Sequence, residues 1–287
     1  MRSSSDIYGQ YLKEFMISQE QVEQLQQIGL SMLKDFHKIC VEHNIKYSLV
    51  FGTMLGAIRH KGFIPWDDDI DVIIFRKDYE KLKVAVAEMS DKYYILDNKL
   101  DKQYNLPFSK FIKKNTLLVE AATEKKINRG CFIDIFLVDN APKNMISLRK
   151  KLYVMFNRLA SLECDFKFPS ETINQIAKNN AEVKKYIRTR RFLGFFASVF
   201  PVRFWHKCSK LMLKGKKNKD KYVISGDVFR LIDKQYFDDL SLYQFEDGEF
   251  YGTTDYDSFL ESIYKNYMQL PPENKRERHI IIKLELD

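Results

Sequence analysis

Between Pro65 and Phe75 the chain reads PWDDDIDVIIF, in which four carboxylates, Asp67, Asp68, Asp69 and Asp71, fall within five positions and run straight into an apolar stretch. Like charges this close raise one another's pKa unless a cation screens them. The interleaved Ile70, Val72, Ile73 and Ile74 demand burial beside them. A β-strand reconciles the two demands, because side chains two residues apart share a face. Asp69 and Asp71 then project together, Asp67 lies on the same face as a further candidate ligand, Asp68 faces away, and Ile70 and Val72 pack inward. Two carboxylates at that spacing suit Mg²⁺ or Mn²⁺, since Mg²⁺ takes one or two carboxylates and completes its octahedron with water and phosphate oxygens.

The flanking text supplies partners for such an ion. Gly52-Thr53 stands between an apolar strand read over 46–51 and a helix read over 53–59, and the N–H groups at a helix start can hold a phosphate. Downstream, 131–138 (CFIDIFLV) is the most strand-like run of the chain, interrupted only by Asp134. A lone acid inside such a run is costly to bury unless something pairs with it, so Asp134 is the candidate third carboxylate. Residues 18–44 place Val22, Leu25, Ile28, Met32, Leu33, Phe36, Ile39 and Cys40 at spacings of three and four, an amphipathic helix with Ser18 as its N-cap. A helix is read over 78–89, a strand over 69–75, and shorter strands over 93–96, 106–113 and 116–120. His37, Cys40 and His43 have a metal-like look, but spacings of three drift around a helix and assign them to packing and surface.

At 287 residues, with 45% hydrophobic and 14% aromatic residues, the chain can bury a sizeable core and is not disordered. Its four scattered cysteines indicate neither a zinc ribbon nor a disulfide framework, which fits a reducing cytoplasm. The N-terminus lacks the apolar core of a signal peptide, and no uncharged apolar stretch is long enough to span a bilayer. The net charge of +8 is concentrated: residues 184–219 hold twelve Lys or Arg and no acid, leaving a net −4 for the remainder. This segment carries Phe192, Phe195, Phe196, Phe200, Phe204 and Trp205 among its cations. An interfacial helix pair on an anionic membrane surface, a packed helix with a basic outer face, and a nucleic-acid patch all fit it; the first is favoured and nucleic acid is not expected as a partner. The tract 214–221 (KGKKNKDK) reads as polar and flexible, and a last helix is read over 255–268 ahead of Pro271-Pro272.

A glycine and small hydroxyl opening a helix, then Asp-apolar-Asp-apolar, then a distant apolar-Asp-apolar strand, resembles the nucleotidyltransferase superfamily. The wider text, FGTMLGAIRHKGFIPWDDDIDV, RKDYEKL, FSKFIKKNT, FIDIFLVD and YMQLPPENKRERH, resembles the LicD family, relatives of fukutin. The resemblance implies an α+β fold with a nucleotidyltransferase-like mixed β-sheet core flanked by helices, and an additional, mostly helical basic region. The expected boundaries are a catalytic core over 1–143, the basic region over 144–225, and a C-terminal segment completing the site over 226–287.

The same resemblance implies transfer of a phospho-alcohol, phosphocholine first, from a CDP-alcohol donor such as CDP-choline to a sugar hydroxyl of a glycan or lipid-linked glycan, with release of CMP. It assigns Asp69 and Asp71 to the metal, Asp134 to the acceptor hydroxyl, and Gly52 and Thr53 to the donor pyrophosphate. Arg59, His60, Lys61 and Lys110 would neutralise charge, and Lys275, Arg276, Arg278 and His279 would close over the phosphates. Tyr104, Phe108 and Tyr251 are candidates for a choline cage that spacing alone does not select. Two other readings stand beside this one: transfer of NMP from NTP with release of pyrophosphate, and a catalytically silent membrane-surface module.

Overall fold

The computed structural model describes residues 17–101, 103–121, 130–226, 229–273, 276 and 278–286. The N-terminal stretch 1–16 and Lys275 lie outside the described residues. The fold is α+β, built on one mixed sheet flanked by helices. Helix α1 (Gln19–Glu42) begins where Ser18 and Gln21 form a reciprocal capping box, satisfying two otherwise orphaned amides. Its buried stripe runs through Val22, Leu25, Met32, Leu33, Phe36, Ile39 and Cys40. That stripe lies on one face of the sheet, with Phe36 edge-on to Phe111 at 5.6 Å.

Strand β1 (Tyr47–Leu49), helix α2 (Phe51–Arg59) and strand β2 (Asp71–Phe75) form the unit that carries the acidic block. β2 is antiparallel to β1 and parallel to β6 (Phe132–Pro142). Helix α3 (Tyr79–Glu88) and strand β3 (Tyr93–Leu96) follow, then β4 (Ser109–Lys113) and β5 (Leu117–Glu120). The seven-stranded sheet runs β1-β2-β6-β4-β3. β7 (Lys217–Ser225) pairs with the distal half of β6 and with β8 (Phe229–Asp233). The 214–221 tract is therefore largely a strand rather than a flexible stretch. Its Lys-rich outer end is solvent-facing, while Tyr222 to Ser225, paired with β6 on one side and β8 on the other, are buried.

Between β6 and β7 lie helices α4 (Ile146–Lys167), α5 (Glu171–Asn179), α6 (Ala181–Ala197) and α7 (Val202–Leu211). α6 presses on α4 through Gly194, where a Cβ would stand 2.4 Å from the Leu162 carbonyl oxygen. The tail adds a short helix α8 (Gln235–Asp238), a hairpin of β9 (Leu240–Phe245) and β10 (Gly248–Thr253), helix α9 (Tyr256–Tyr264), and strand β11 (Ile281–Glu285) antiparallel to β5. No helix among the described residues is long and apolar enough to cross a membrane.

Candidate active site

Register creates the site. Parallel pairing sets Asp71 of β2 opposite Asp134 of β6, and antiparallel pairing sets Lys110 of β4 opposite Asp134 on the other side. The three side chains therefore share one face of the sheet at its centre, while Val72, Ile133 and Ile135 pack on the other. Carboxylate oxygens of Asp69, Asp71 and Asp134 lie within 4.8 Å of one another. A second group of potential ligands, Asp68, Asp69 and His279, shares Asp69 with the first.

Each acid is held by an identifiable contact. Thr53 Oγ1 accepts the Asp71 N–H at 2.8 Å, and the Asp71 carbonyl accepts from Val50 N–H at 3.1 Å, so the start of α2 clamps the start of β2. Gly52 admits Asp67, whose Oδ2 lies 2.8 Å from where a Cβ would stand. The Asp67 carboxyl is hydrogen-bonded to Asp69. Asp68 accepts from the His279 N–H at 3.0 Å and meets its Nδ1 at 2.9 Å, and Asp69 stands 3.7 Å from the same nitrogen. Asp68 is thus part of the cluster rather than turned away from it. Residues 67–70 form no strand, so the alternation of faces begins only at Asp71.

The electrostatics are those of a crowded anionic pocket. Burial raises the Asp71 carboxyl well above its usual range, with Asp69 and Asp134 adding to the effect. Asp67 is raised well above its usual range by burial, then by Asp69 and Asp68. Burial also raises Asp69, against the pull of His279. Asp134 is pushed up to about 7 by burial despite the opposing pull of Lys110. Burial disfavours the His279 cation, but Asp69 and Asp68 more than offset this and hold it well above the ordinary imidazole value.

Lys110 Nζ lies 3.2 Å from Asp134 Oδ1 and 3.7 Å from Glu120, an ion pair that does not align as a hydrogen bond to that oxygen. It also sits 3.0 Å from the centre of the Phe132 ring.

The remaining sequence candidates are distributed differently. Arg59, His60 and Lys61 stand at the far end of α2 from Gly52, a separation of roughly 12 Å for a nine-residue helix. There Arg59 donates to His60 Nε2 at 2.9 Å and to the Tyr267 carbonyl at 2.7 Å. Arg276 stacks over Trp66 at 4.4 Å and Arg278 donates to Gln19 at 2.6 Å, so of the described tail residues only His279 reaches the acids. His37 pairs with the Tyr47 hydroxyl at 2.7 Å and Cys40 is buried, as expected for packing roles. Sequence reasoning passed over Glu120, at the end of β5 opposite Ile281, and Tyr264, whose hydroxyl is driven up by burial and then by Asp71 and Asp67.

Residues 44–184 match the family described as LicD/FKTN/FKRP, nucleotidyltransferase domain. Among curated proteins the chain is 30% identical over 265 residues to the lipopolysaccharide cholinephosphotransferase LicD of Haemophilus influenzae, covering 89% of this chain and 94% of that protein. It is also 29% identical over 175 residues to an uncharacterised protein of Rickettsia prowazekii, covering 61% of this chain and 60% of the relative. A match that spans nearly the whole of both chains, carried on a sheet with its acids in register, shows that this chain belongs to the LicD family and is a LicD-type phosphotransferase.

Proposed function

We propose that this protein transfers phosphocholine from CDP-choline to a sugar hydroxyl of a cell-surface glycan or its lipid-linked precursor, releasing CMP, and that it requires a divalent cation, Mg²⁺ or Mn²⁺. The observation that carries the reading is the convergence of Asp69, Asp71 and Asp134 oxygens within 4.8 Å on one sheet face. An all-oxygen donor set fits a hard cation. So does the poorly compensated burial of these acids, with Asp134 Oδ1 lacking an aligned donor. A bound cation supplies charge neutralisation for the diphosphate and the departing CMP.

The chain's own residues do the rest. The acceptor hydroxyl oxygen attacks the phosphorus bearing choline, the bond from that phosphorus to the bridging oxygen breaks, and CMP leaves with that oxygen. Asp134 takes the hydroxyl proton, with Lys110 stabilising its charged form. The first turn of α2 offers backbone amides to the donor phosphates, since its N-cap Val50 makes no side-chain cap. Thr53 positions Asp71 through the amide hydrogen bond. Phe136, two residues beyond Asp134 on the same strand face, lies 5.3 Å from Phe51 and 4.7 Å from Phe108. These rings offer apolar faces for a quaternary ammonium.

The reaction takes place at a membrane surface on the cytoplasmic side. Support for this comes from the end of α6 and the turn that follows it, where Phe192, Phe195, Phe196 and Val199 are 64%, 60%, 58% and 72% exposed in a segment that also carries Arg191.

CMP release measured with CDP-choline, CDP-ribitol, CDP-glycerol and CDP-ethanolamine, with and without EDTA, tests the reading. CDP-choline should be turned over fastest, and only with metal. Asp71→Asn should abolish turnover with an unchanged circular dichroism spectrum. Pyrophosphate formed from an NTP, with no CMP from any CDP-alcohol, would replace phosphotransfer by nucleotidyl transfer.

A further inference from the structure

At the other end of the sheet from the acids, α7 and the turn after β3 line a cavity of about 490 Å³. Its lining holds six cations, Arg76, Lys99, Arg203, Lys207, Lys210 and Lys214, against one carboxylate, Asp139. Asp139 is committed to Arg76, whose Nε stands 2.9 Å from both of its oxygens. Lys99 is held by Glu80 at 2.9 Å, and Arg203 caps the Asn98 and Lys99 carbonyls at 2.8 and 2.6 Å. No ion pair or side-chain hydrogen bond engages the ammonium of Lys207, Lys210 or Lys214 among the described residues. Arg203, Lys207 and Lys210 recur at spacings of four and three, which puts them on one face of α7. Lys210 is partly buried there, and burial and then Arg76 disfavour its ammonium more than Asp97 and Asp139 favour it. Lys207 and Lys214 are exposed and Lys210 is half-buried, so three uncommitted ammonium groups converge on a cavity whose carboxylate is already taken by Arg76, an arrangement suited to an anion.

The cavity also adjoins the exposed aromatic end of α6 and the turn after it. Arg203 lines the cavity, and Phe204, the next residue, stacks on Phe200 at 4.2 Å at the edge of the apolar patch. Cations in a pocket with exposed aromatics beside its mouth match an amphiphile with a phosphate head and an apolar tail. We infer that this cavity is a headgroup site for a phosphate-bearing lipid, engaged by Lys207 and Lys210 while the aromatic turn enters the same bilayer. The inference deepens the membrane-surface part of the proposed function and rests on it.

Cosedimentation with phosphatidylcholine vesicles, with and without phosphatidic acid, tests the site on the full chain, and calorimetry with inorganic pyrophosphate in the absence of divalent cations probes the pocket alone. A lysine near an anionic surface is worth roughly fivefold in binding, so K207A/K210A should weaken binding to phosphatidic acid vesicles about 25-fold and remove pyrophosphate binding. K184A/K185A, which removes the same charge outside the cavity, should lose much less. F195S/F196S should lose vesicle binding and keep pyrophosphate binding. CMP release toward a soluble acceptor should be unchanged in K207A/K210A, so a failure of the catalytic reading is seen separately. The site is overturned if K207A/K210A binds vesicles no worse than K184A/K185A. It is equally overturned if the wild type does not bind pyrophosphate, or binds pyrophosphate but no phosphatidic acid vesicles. Loss of vesicle binding in F195S/F196S with none in K207A/K210A would leave the membrane-surface reading standing without the pocket.

Discussion

At the scale of single residues, the centre of the site is a conflict between burial and charge that the protein does not resolve by itself. Asp67, Asp69, Asp71 and Asp134 are all raised by burial, and among the described residues the cations beside them, Lys110 and His279, are fewer than the acids they face. Raised carboxylates retain protons toward neutral pH in the metal-free protein, and a divalent cation must displace them to bind. Mg²⁺ binding near pH 6.5 should therefore release protons. Titration calorimetry in two buffers of different ionisation enthalpy measures this directly, and an identical enthalpy in both buffers would contradict it. One strained residue also stands here. Phe51 holds φ at +49°, a left-handed conformation costly for a bulky residue, one position before Gly52. That geometry turns the chain from β1 into α2 over a distance short enough for Thr53 to reach the Asp71 amide.

At the scale of elements, helix α1 was legible because its apolar residues keep strict spacings of three and four and Ser18 precedes them with Gln21 three positions on. β2 and β6 were legible as strands from their β-branched and aromatic runs. Their acids were legible as a pair because a carboxylate inside such a run is buried with its neighbours and must meet a cation or share a proton there. The start of β7 has the composition of a loop because its lysines face solvent, and what makes it a strand is pairing with β6 and β8, which composition does not show. The participation of Asp68 was hidden because alternation holds only within a strand, and residues 67–70 are outside one.

Helix α7 carries a pH-dependent term that no sequence pattern advertises. His206 is 2% exposed, and burial lowers its pKa to about 4, with Lys210 contributing. The unfolded chain protonates an imidazole near pH 6.5 and the folded one does not, so stability is fully present above about pH 6.5 and is lost as pH falls toward 4. The shift corresponds to about 3 kcal/mol. Urea unfolding at pH 7 and pH 4.5 should show this loss in the wild type, and His206→Gln should flatten the dependence whatever its effect on stability at pH 7.

At the scale of the whole molecule, the site is closed by residues from both ends of the described chain. His279 meets Asp68 across 211 positions, and β11 pairs with β5 so that Ile281 stands opposite Glu120, the second partner of Lys110. Nothing local in KRERH specifies this, because a contact between distant segments depends on the sheet that brings them together, so the tail was legible only as a basic cluster. Its order of importance follows from what each part touches. His279 supports Asp68 and Asp69, and the loss of such an outer partner typically costs ten- to a hundredfold in metal affinity or activity. Removing residues 271–287 does more, because it uncovers the β5 edge and opens the Lys110–Glu120 pair to water. His279→Ala should lower CMP release roughly ten- to a hundredfold and lower the unfolding temperature less than the truncation does. The truncation should abolish turnover and lower the unfolding temperature, because it deletes a strand pairing as well as a ligand-side contact. A truncated protein with wild-type turnover would mean that the acids are organised by β2, β4 and β6 alone, and that the tail serves only as a cover.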